Sequence, residues 1–122
     1  MAGSSGSLHE SEAVLKPETI DRHRAVVSIM EELEAVDWYD QRIDAAGDSE
    51  LKKILAHNRD EEKEHASMML EWLRRHDAAL DRHLRTYLFT NKSVLEIEDE
   101  AEGKDASGSN DDGSLRIGSL RS

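Results

Sequence analysis

Residues 61–65 read Glu61-Glu62-Lys63-Glu64-His65 and lie inside a long helical pattern. In a helix, Glu62 and His65 are three positions apart and project from one face, close enough for a carboxylate and an imidazole to bind one cation. The rest of that face has the spacing of a core-facing stripe. Its members are Leu51, Leu55, Asn58, Glu62, His65, Met69 and Trp72 or Leu73. Because ionisable groups are costly to bury on an apolar face, the stripe predicts a compensating partner such as a metal ion.

The composition of the 122-residue chain favours one small all-α domain with a modest core. The net charge of −11 argues against nucleic-acid or anionic-membrane partners and suits a protein that attracts cations. Since cysteine is absent, any metal ligands must be imidazole or oxygen. No signal peptide and no apolar run of about 18 residues is visible, so the expected location is the cytoplasm.

Two long helices joined by a tight turn are predicted around this stretch. The first helix covers about residues 17–46, starting at the single proline, and Gly47 is expected to end it. The second covers about residues 49–75, with Asp48 or Ser49 as its N-cap. So short a link forces the two helices into an antiparallel hairpin.

The first helix has apolar residues on two sides. At 100° per residue, one side carries Ala25, Val26, Ile29, Leu33, Val36 and Ile43, and the opposite side carries Ile20, Val27 and Trp38. The second helix can cover only one of these sides. The other side therefore predicts contact between subunits and a homodimer.

Four segments are expected along the chain. Residues 1–15 form a flexible leader, and residues 16–97 form the helical hairpin domain, which includes a short third helix beginning after Asp77. Residues 98–113 lose apolar periodicity and have the composition of an acidic disordered linker. Residues 114–122 recover three aliphatic side chains and are expected to present a binding peptide.

Glu32 on the first helix matches the pair on the second, so the hairpin offers one Glu from one helix and Glu-x-x-His from the other. Di-iron carboxylate bundles use twice that set, from four helices. Apart from His65, no histidine has a Glu three positions before it. The chain thus holds half a site, and pairing of two hairpins would supply six ligands around two ions.

Carboxylate and imidazole ligands suit Fe(II), Mn(II) or Zn(II), and the oxygen-rich set favours iron, with two ions per dimer. Two such ions, bridged by Glu62 of both chains, could each give one electron to dioxygen or peroxide, so ferroxidation is the predicted reaction. Tyr39, two turns beyond Glu32, is a candidate to hold the second ring nitrogen of His65. Glu31 and Glu34 point elsewhere and could form an outer acidic site that attracts Fe(II).

Two other interpretations stay open at this point. Glu62 and His65 could be an intrahelical pair on a solvated face, which would make the protein a metal-free helical scaffold or adaptor. Alternatively, the same ligands could hold manganese in a peroxide-consuming relative. Aerobic oxidation of Fe(II) separates the first interpretation from the ferroxidase, and metal analysis separates the second.

Several runs of the sequence resemble the encapsulated ferritins of bacteria. They are residues 31–42 (EELEAVDWYDQR), 57–65 (HNRDEEKEH), 71–75 (EWLRR) and the tail 114–120 (SLRIGSL), which is similar to the peptide that addresses cargo to encapsulin shells. The resemblance covers roughly residues 16–90 plus the tail. It is far more specific than Glu-x-x-His alone.

The resemblance implies a half-ferritin hairpin that dimerises to build the ferroxidase centre and assembles into a ring-like decamer. It implies Glu32, Glu62 and His65 as iron ligands, with Tyr39 nearby. It also implies an outer metal site at Glu31 and Glu34. Such proteins oxidise iron but have no closed cage of their own, so storage falls to the encapsulin nanocompartment.

The spacing of apolar residues in the tail suits a peptide that binds in a groove. Leu115 and Ile117 alternate in an extended peptide, Gly118 permits a bend, and Leu120 adds a third anchor for an apolar groove. One such peptide binds weakly, and many copies on one ring would add avidity.

Overall fold

The computed structural model of the protein describes residues 6–108, with side chains through residue 103. Regular structure in this range is entirely helical, which confirms the predicted all-α class. After a 3-10 turn at Glu12–Val14 come four helices: α1 (Pro17–Ala45), α2 (Ser49–Arg75), α3 (Ala78–Tyr87) and α4 (Val94–Gly108).

The chain divides into two compact units, Met1–Ala78 and Ala79–Ser122. The first unit contains α1 and α2, which pack along each other as the predicted antiparallel hairpin. The second contains most of α3 and all of α4. The boundary after Ala78 falls inside the stretch 16–97 that the sequence predicted as one domain, so the third helix belongs to a separate unit.

Helix α1 begins and ends for local reasons. Pro17 occupies its first turn, where the missing N–H costs nothing. At the other end Ala46 takes an extended conformation, and its N–H donates to the Arg42 carbonyl over 2.9 Å. Gly47 was expected to end the helix, yet α1 stops before it, and a Cβ at Gly47 would meet nothing within 4 Å. The termination therefore does not depend on glycine.

Helix α2 has an acidic N-cap and two basic residues in its last turn. The Leu51 N–H donates to Asp48 Oδ2 over 2.8 Å, which confirms Asp48 among the two predicted caps. In the last turn, Glu71 accepts from Arg74 Nε at 2.8 Å and from Arg75 Nε at 2.7 Å. Both cations lie where the helix dipole favours them.

The core of the described residues is thin. Four apolar residues are buried: Ala25, Ala66, Leu73 and Ile97. Val26 and Leu33, from one of the two apolar sides of α1, are exposed within the single chain. Leu51 from the predicted core-facing stripe of α2 is exposed as well, so its prediction as a core residue was wrong. One partner helix covers only a narrow face of each helix, and the edges of both apolar faces stay uncovered.

Helix α4 contradicts part of the predicted linker. The sequence predicted a disordered segment from residue 98 to residue 113, whereas residues 98–108 continue a helix that starts at Val94. The helix is supported at its start, where the Ile97 N–H donates to the Ser93 carbonyl over 3.0 Å, and farther on by an ion pair between Lys92 and Glu100 at 3.0 Å. Residues 109–113 lie outside the described range.

Two other segments bear on the sequence predictions. The 3-10 turn at Glu12–Val14, whose start Ser11 caps by accepting from the Ala13 N–H at 3.3 Å, lies inside the predicted leader. That stretch is therefore not wholly irregular. The targeting peptide predicted at residues 114–122 lies outside the described range and stays a prediction. A search of the described residues finds no helix with the length and apolar character needed to span a membrane.

Candidate metal centre

The Glu-x-x-His pair lies on one face of α2, as the helical spacing predicts. Glu62 Oε1 and His65 Nδ1 are 3.7 Å apart. The Glu62 side chain is 29% exposed and that of His65 is 43% exposed, so the pair sits at the edge of the packed face. This separation is longer than a hydrogen bond, so neither atom is held by the other.

Glu32 comes to the same place from α1. One of its oxygens, Oε1, is buried and has no hydrogen-bond partner. Burial raises the pKa of the Glu32 carboxyl above its ordinary value, the negative charges of Glu62 and Glu31 raise it further, and His65 opposes the shift. These electrostatic contributions show that the hairpin brings the three predicted ligands into one neighbourhood.

The three side chains fit a cation but do not enclose one. A buried carboxylate oxygen without a donor, beside a second carboxylate and an imidazole, is the arrangement that a divalent metal ion would satisfy. Within residues 6–108, however, no three His, Asp or Glu side chains of the single chain are placed to hold a metal ion. Within one hairpin, the predicted ligands therefore do not form a complete metal site.

Glu61 lies between two histidines, His57 and His65, and no role was predicted for it from the sequence. Its Oε2 is 3.7 Å from His57 Nε2, and its Oε1 is 3.9 Å from His65 Nε2. The ring of His65 therefore has a carboxylate near each nitrogen, Glu62 near Nδ1 and Glu61 near Nε2. The spacing of four residues on either side of Glu61 was the available signal.

Tyr39 is half-buried on α1, and its ring contacts Arg42, whose guanidinium carbon lies 5.4 Å from the ring centroid. Among the described hydrogen bonds, none joins Tyr39 to His65. The role of Tyr39 behind His65 therefore stays a prediction.

Glu31 and Glu34, the predicted outer metal site, occupy the other side of α1. Glu31 is exposed and Glu34 is half-buried. Neither forms an ion pair within the described part of the chain, so both carboxylates are available to a cation. Their assignment as a metal site stays a prediction.

A long antiparallel hairpin with one Glu on the first helix and Glu-x-x-His on the second is half of the ligand pattern of di-iron carboxylate bundles. The sequence profile of the EncFtn-like family matches residues 7–91. The chain belongs to the EncFtn-like family, and the resemblance to encapsulated ferritins is thereby confirmed.

Relatives agree with this assignment. The chain is 61% identical over 132 aligned residues to the "Encapsulated ferritin-like protein" of Rhodospirillum rubrum, covering 99% of this chain and 92% of that protein. It is 53% identical over 95 residues to the "Ferritin-like protein" of Thermotoga maritima, covering 78% and 83% of the two chains. A crystal structure of a Nitrosomonas europaea protein superposes with a TM-score of 0.70 at 60% identity, covering 72% of this chain and 97% of that one.

Proposed function

We propose that this protein is a ferroxidase that oxidises Fe(II) to Fe(III) at a di-iron centre built across a homodimer. Glu32, Glu62 and His65 of both subunits would bind the two ions, and Glu31 and Glu34 would form an outer metal site. The observation that carries the proposal is the buried, unpartnered Glu32 Oε1 beside Glu62 and His65. Such a group destabilises a metal-free fold and is explained by a cation that binds there.

Exposed apolar residues on α2 favour a dimer. Leu51 and Ile54 project from the same side of α2 as His65, about three to four turns before it, and their exposed fractions are 45% and 49%. An apolar surface on the side of the helix that carries a half-exposed imidazole favours coverage by another protein surface. A two-fold copy of the hairpin would cover it and add three more ligands.

Iron suits this set better than the alternatives. The three ligands of one chain are two carboxylates and one imidazole, and a two-fold pair would present four carboxylates and two imidazoles, a predominantly oxygen set. Two ions held about 3.5–4 Å apart can deliver two electrons to one acceptor, dioxygen or peroxide, and leave as Fe(III). The acidic chain would attract the cationic substrate.

We further propose that the protein works as cargo of an encapsulin shell, which it enters through residues 114–122, as a ring-like decamer in the cytoplasm. The support is the printed name of its Rhodospirillum rubrum relative, an encapsulated ferritin-like protein, together with the aliphatic pattern of the tail. The iron that it oxidises would then be stored in the compartment.

Aerobic addition of Fe(II) tests the ferroxidase proposal. We expect the wild-type protein to develop ferric absorbance faster than buffer and the variants Glu32→Ala and His65→Ala to lose at least about tenfold of that rate, because each removes a ligand from both ions. Sedimentation velocity on the same samples gives the oligomeric state.

Matched controls are Glu18→Ala, an exposed carboxylate in the first turn of α1, and His83→Ala, an exposed histidine of α3. Both should retain the wild-type rate. A wild-type rate equal to that of buffer would contradict the proposal and favour a metal-free scaffold, and bound manganese with faster turnover of peroxide would favour the peroxide-consuming alternative.

A further inference from the structure

Arg59 of α2 ties the two helices of the hairpin together. Its Nη1 donates to Asp40 Oδ1 of α1 over 2.9 Å, and its Nε donates to the neighbouring Asp60 Oδ1 over 3.1 Å. The Arg59 side chain is 25% exposed. Because two acceptors hold different nitrogens of one planar group, the orientation of the guanidinium is fixed.

This contact lies between the loop and the candidate metal centre. Along α1, Asp40 is eight residues from Glu32, or about 12 Å at 1.5 Å per residue. Along α2, Arg59 is one turn before Glu62 and six residues before His65, or about 9 Å. Because the hairpin is antiparallel, Glu32 and the Glu-x-x-His pair lie in the same direction from the contact between Arg59 and Asp40. This contact therefore fixes the axial position of Glu32 relative to Glu62 and His65.

Other features of the hairpin specify the axial register of the two helices only weakly. The three-residue loop joins the helices about 20 Å from Glu32, and it leaves each rod free to rotate about its axis. The buried contacts of the hairpin include two alanines, Ala25 and Ala66, which offer little interlocking. A slip of one helical turn would displace Glu32 by about 5.4 Å, more than the length of a metal–ligand bond.

We propose that Arg59 and Asp40 are a positioning pair that sets the register of α1 against α2 and thereby aligns Glu32 with Glu62 and His65. The inference rests on the proposed function, because it assigns these residues to the same centre. Neither residue is one of the proposed metal ligands. The Arg59 guanidinium pairs with the carboxylates of Asp40 and Asp60, and both of these lie outside the proposed ligand set.

Titration with Co(II), whose visible absorption reports the number and geometry of its ligands without redox chemistry, tests the pair alongside Fe(II) oxidation. We expect Arg59→Met and Asp40→Asn to keep wild-type helicity by circular dichroism, to bind Co(II) about tenfold more weakly with an altered spectrum, and to oxidise Fe(II) about tenfold more slowly. Arg59→Lys, which keeps the charge but can satisfy only one of the two acceptors, should recover part of both losses.

The matched control is Arg24→Met, which removes an ion pair between Arg24 and Asp21 that lies wholly within α1. It should match the wild type in both assays. Wild-type Co(II) affinity and spectrum in Arg59→Met would overturn the positioning role, whatever the oxidation rate. If the wild type binds Co(II) in an Arg59-dependent way but oxidises no Fe(II), the positioning role stands and the ferroxidase proposal fails.

Discussion

The surroundings of the Glu32 side chain disfavour its ionised form. Its carboxylate is partly removed from water and has no donor for Oε1, while Glu62 and Glu31 add negative potential. Each of these features disfavours the ionised form, which is the form that a metal ion needs. Only a ligand from outside the chain converts the arrangement into a stabilising one.

The metal-free protein should therefore become more stable on Glu32→Gln at neutral pH. The pKa of Glu32 is raised by folding, so the wild type loses stability as pH rises from its unfolded value of 4.5 through the folded value, and glutamine does not. Thermal unfolding in a chelator at pH 7.5 and pH 3.5 measures this difference, which should vanish at the lower pH. Added Co(II) should reverse the order, because only the wild type binds it tightly.

Glu18→Gln serves as the control, since the Glu18 side chain is exposed in the first turn of α1. The difference in melting temperature between pH 7.5 and pH 3.5 should be the same in Glu18→Gln as in the wild type. If Glu32→Gln proves less stable than the wild type in the chelator, Glu32 has a donor that the single chain does not reveal.

At the scale of elements, the starts of the two long helices and their antiparallel pairing were predictable, and the side-chain contacts between them were not. Pro17 and Asp48 set the starts of α1 and α2, and these local signals can be read directly from the sequence. The contact between Arg59 and Asp40 depends on how two helices rotate about their axes, which a thin apolar stripe does not specify.

Helix α4 was missed because its composition supports two interpretations. Glu and Ala are good helix formers, and an acidic, weakly apolar segment also matches a disordered chain. Periodicity could not decide between them, since the residues after Ile97 offer few apolar positions.

The last turn of α2 gives a prediction at the same scale. Hydrogen bonds from Arg74 and then Arg75 lower the pKa of the Glu71 carboxyl to about 2 from an ordinary 4.5. The stability that Glu71 contributes is therefore present above pH 4.5 and is lost as pH falls through about 2. Carbon-13 NMR of the carboxylate should show titration near the lower value, with Arg74→Gln moving it up more than Arg75→Gln.

The matched comparison is Arg85→Gln, which removes a cation that pairs with Asp81 within α3. It should leave the Glu71 titration unchanged. A Glu71 midpoint near 4.5 in the wild type would show that the double contact with arginine is absent in solution.

For the whole molecule, the candidate centre and the binding tail belong to different parts of the chain. Glu32, Glu62 and His65 lie in the first compact unit, which ends at Ala78. The sequence could nominate these candidate ligands, and predict that one chain holds half a site, because helical spacing and the number of Glu-x-x-His motifs can be read locally. It could not give the distances between side chains on two different helices, on which any metal site depends.

Deletion of the proposed tail peptide leaves the sequence of the hairpin unchanged. Deletion of residues 114–122 should abolish co-purification with a co-expressed encapsulin shell, while the rate of Fe(II) oxidation stays the same. Leu115→Ser with Ile117→Ser should have nearly the same effect, because two of the three apolar anchors are lost from every copy. Ser119→Ala is the control and should load normally, whereas loading of the deletion variant would contradict the targeting role.

The exposed Leu51 and Ile54, on the side of α2 that carries His65, affect how this chain must be handled. Where neighbouring copies cover such surface, the free energy of unfolding includes a term in protein concentration. Dilution alone would then lower the melting temperature. Two laboratories working at different protein concentrations would report different melting temperatures for the same polypeptide.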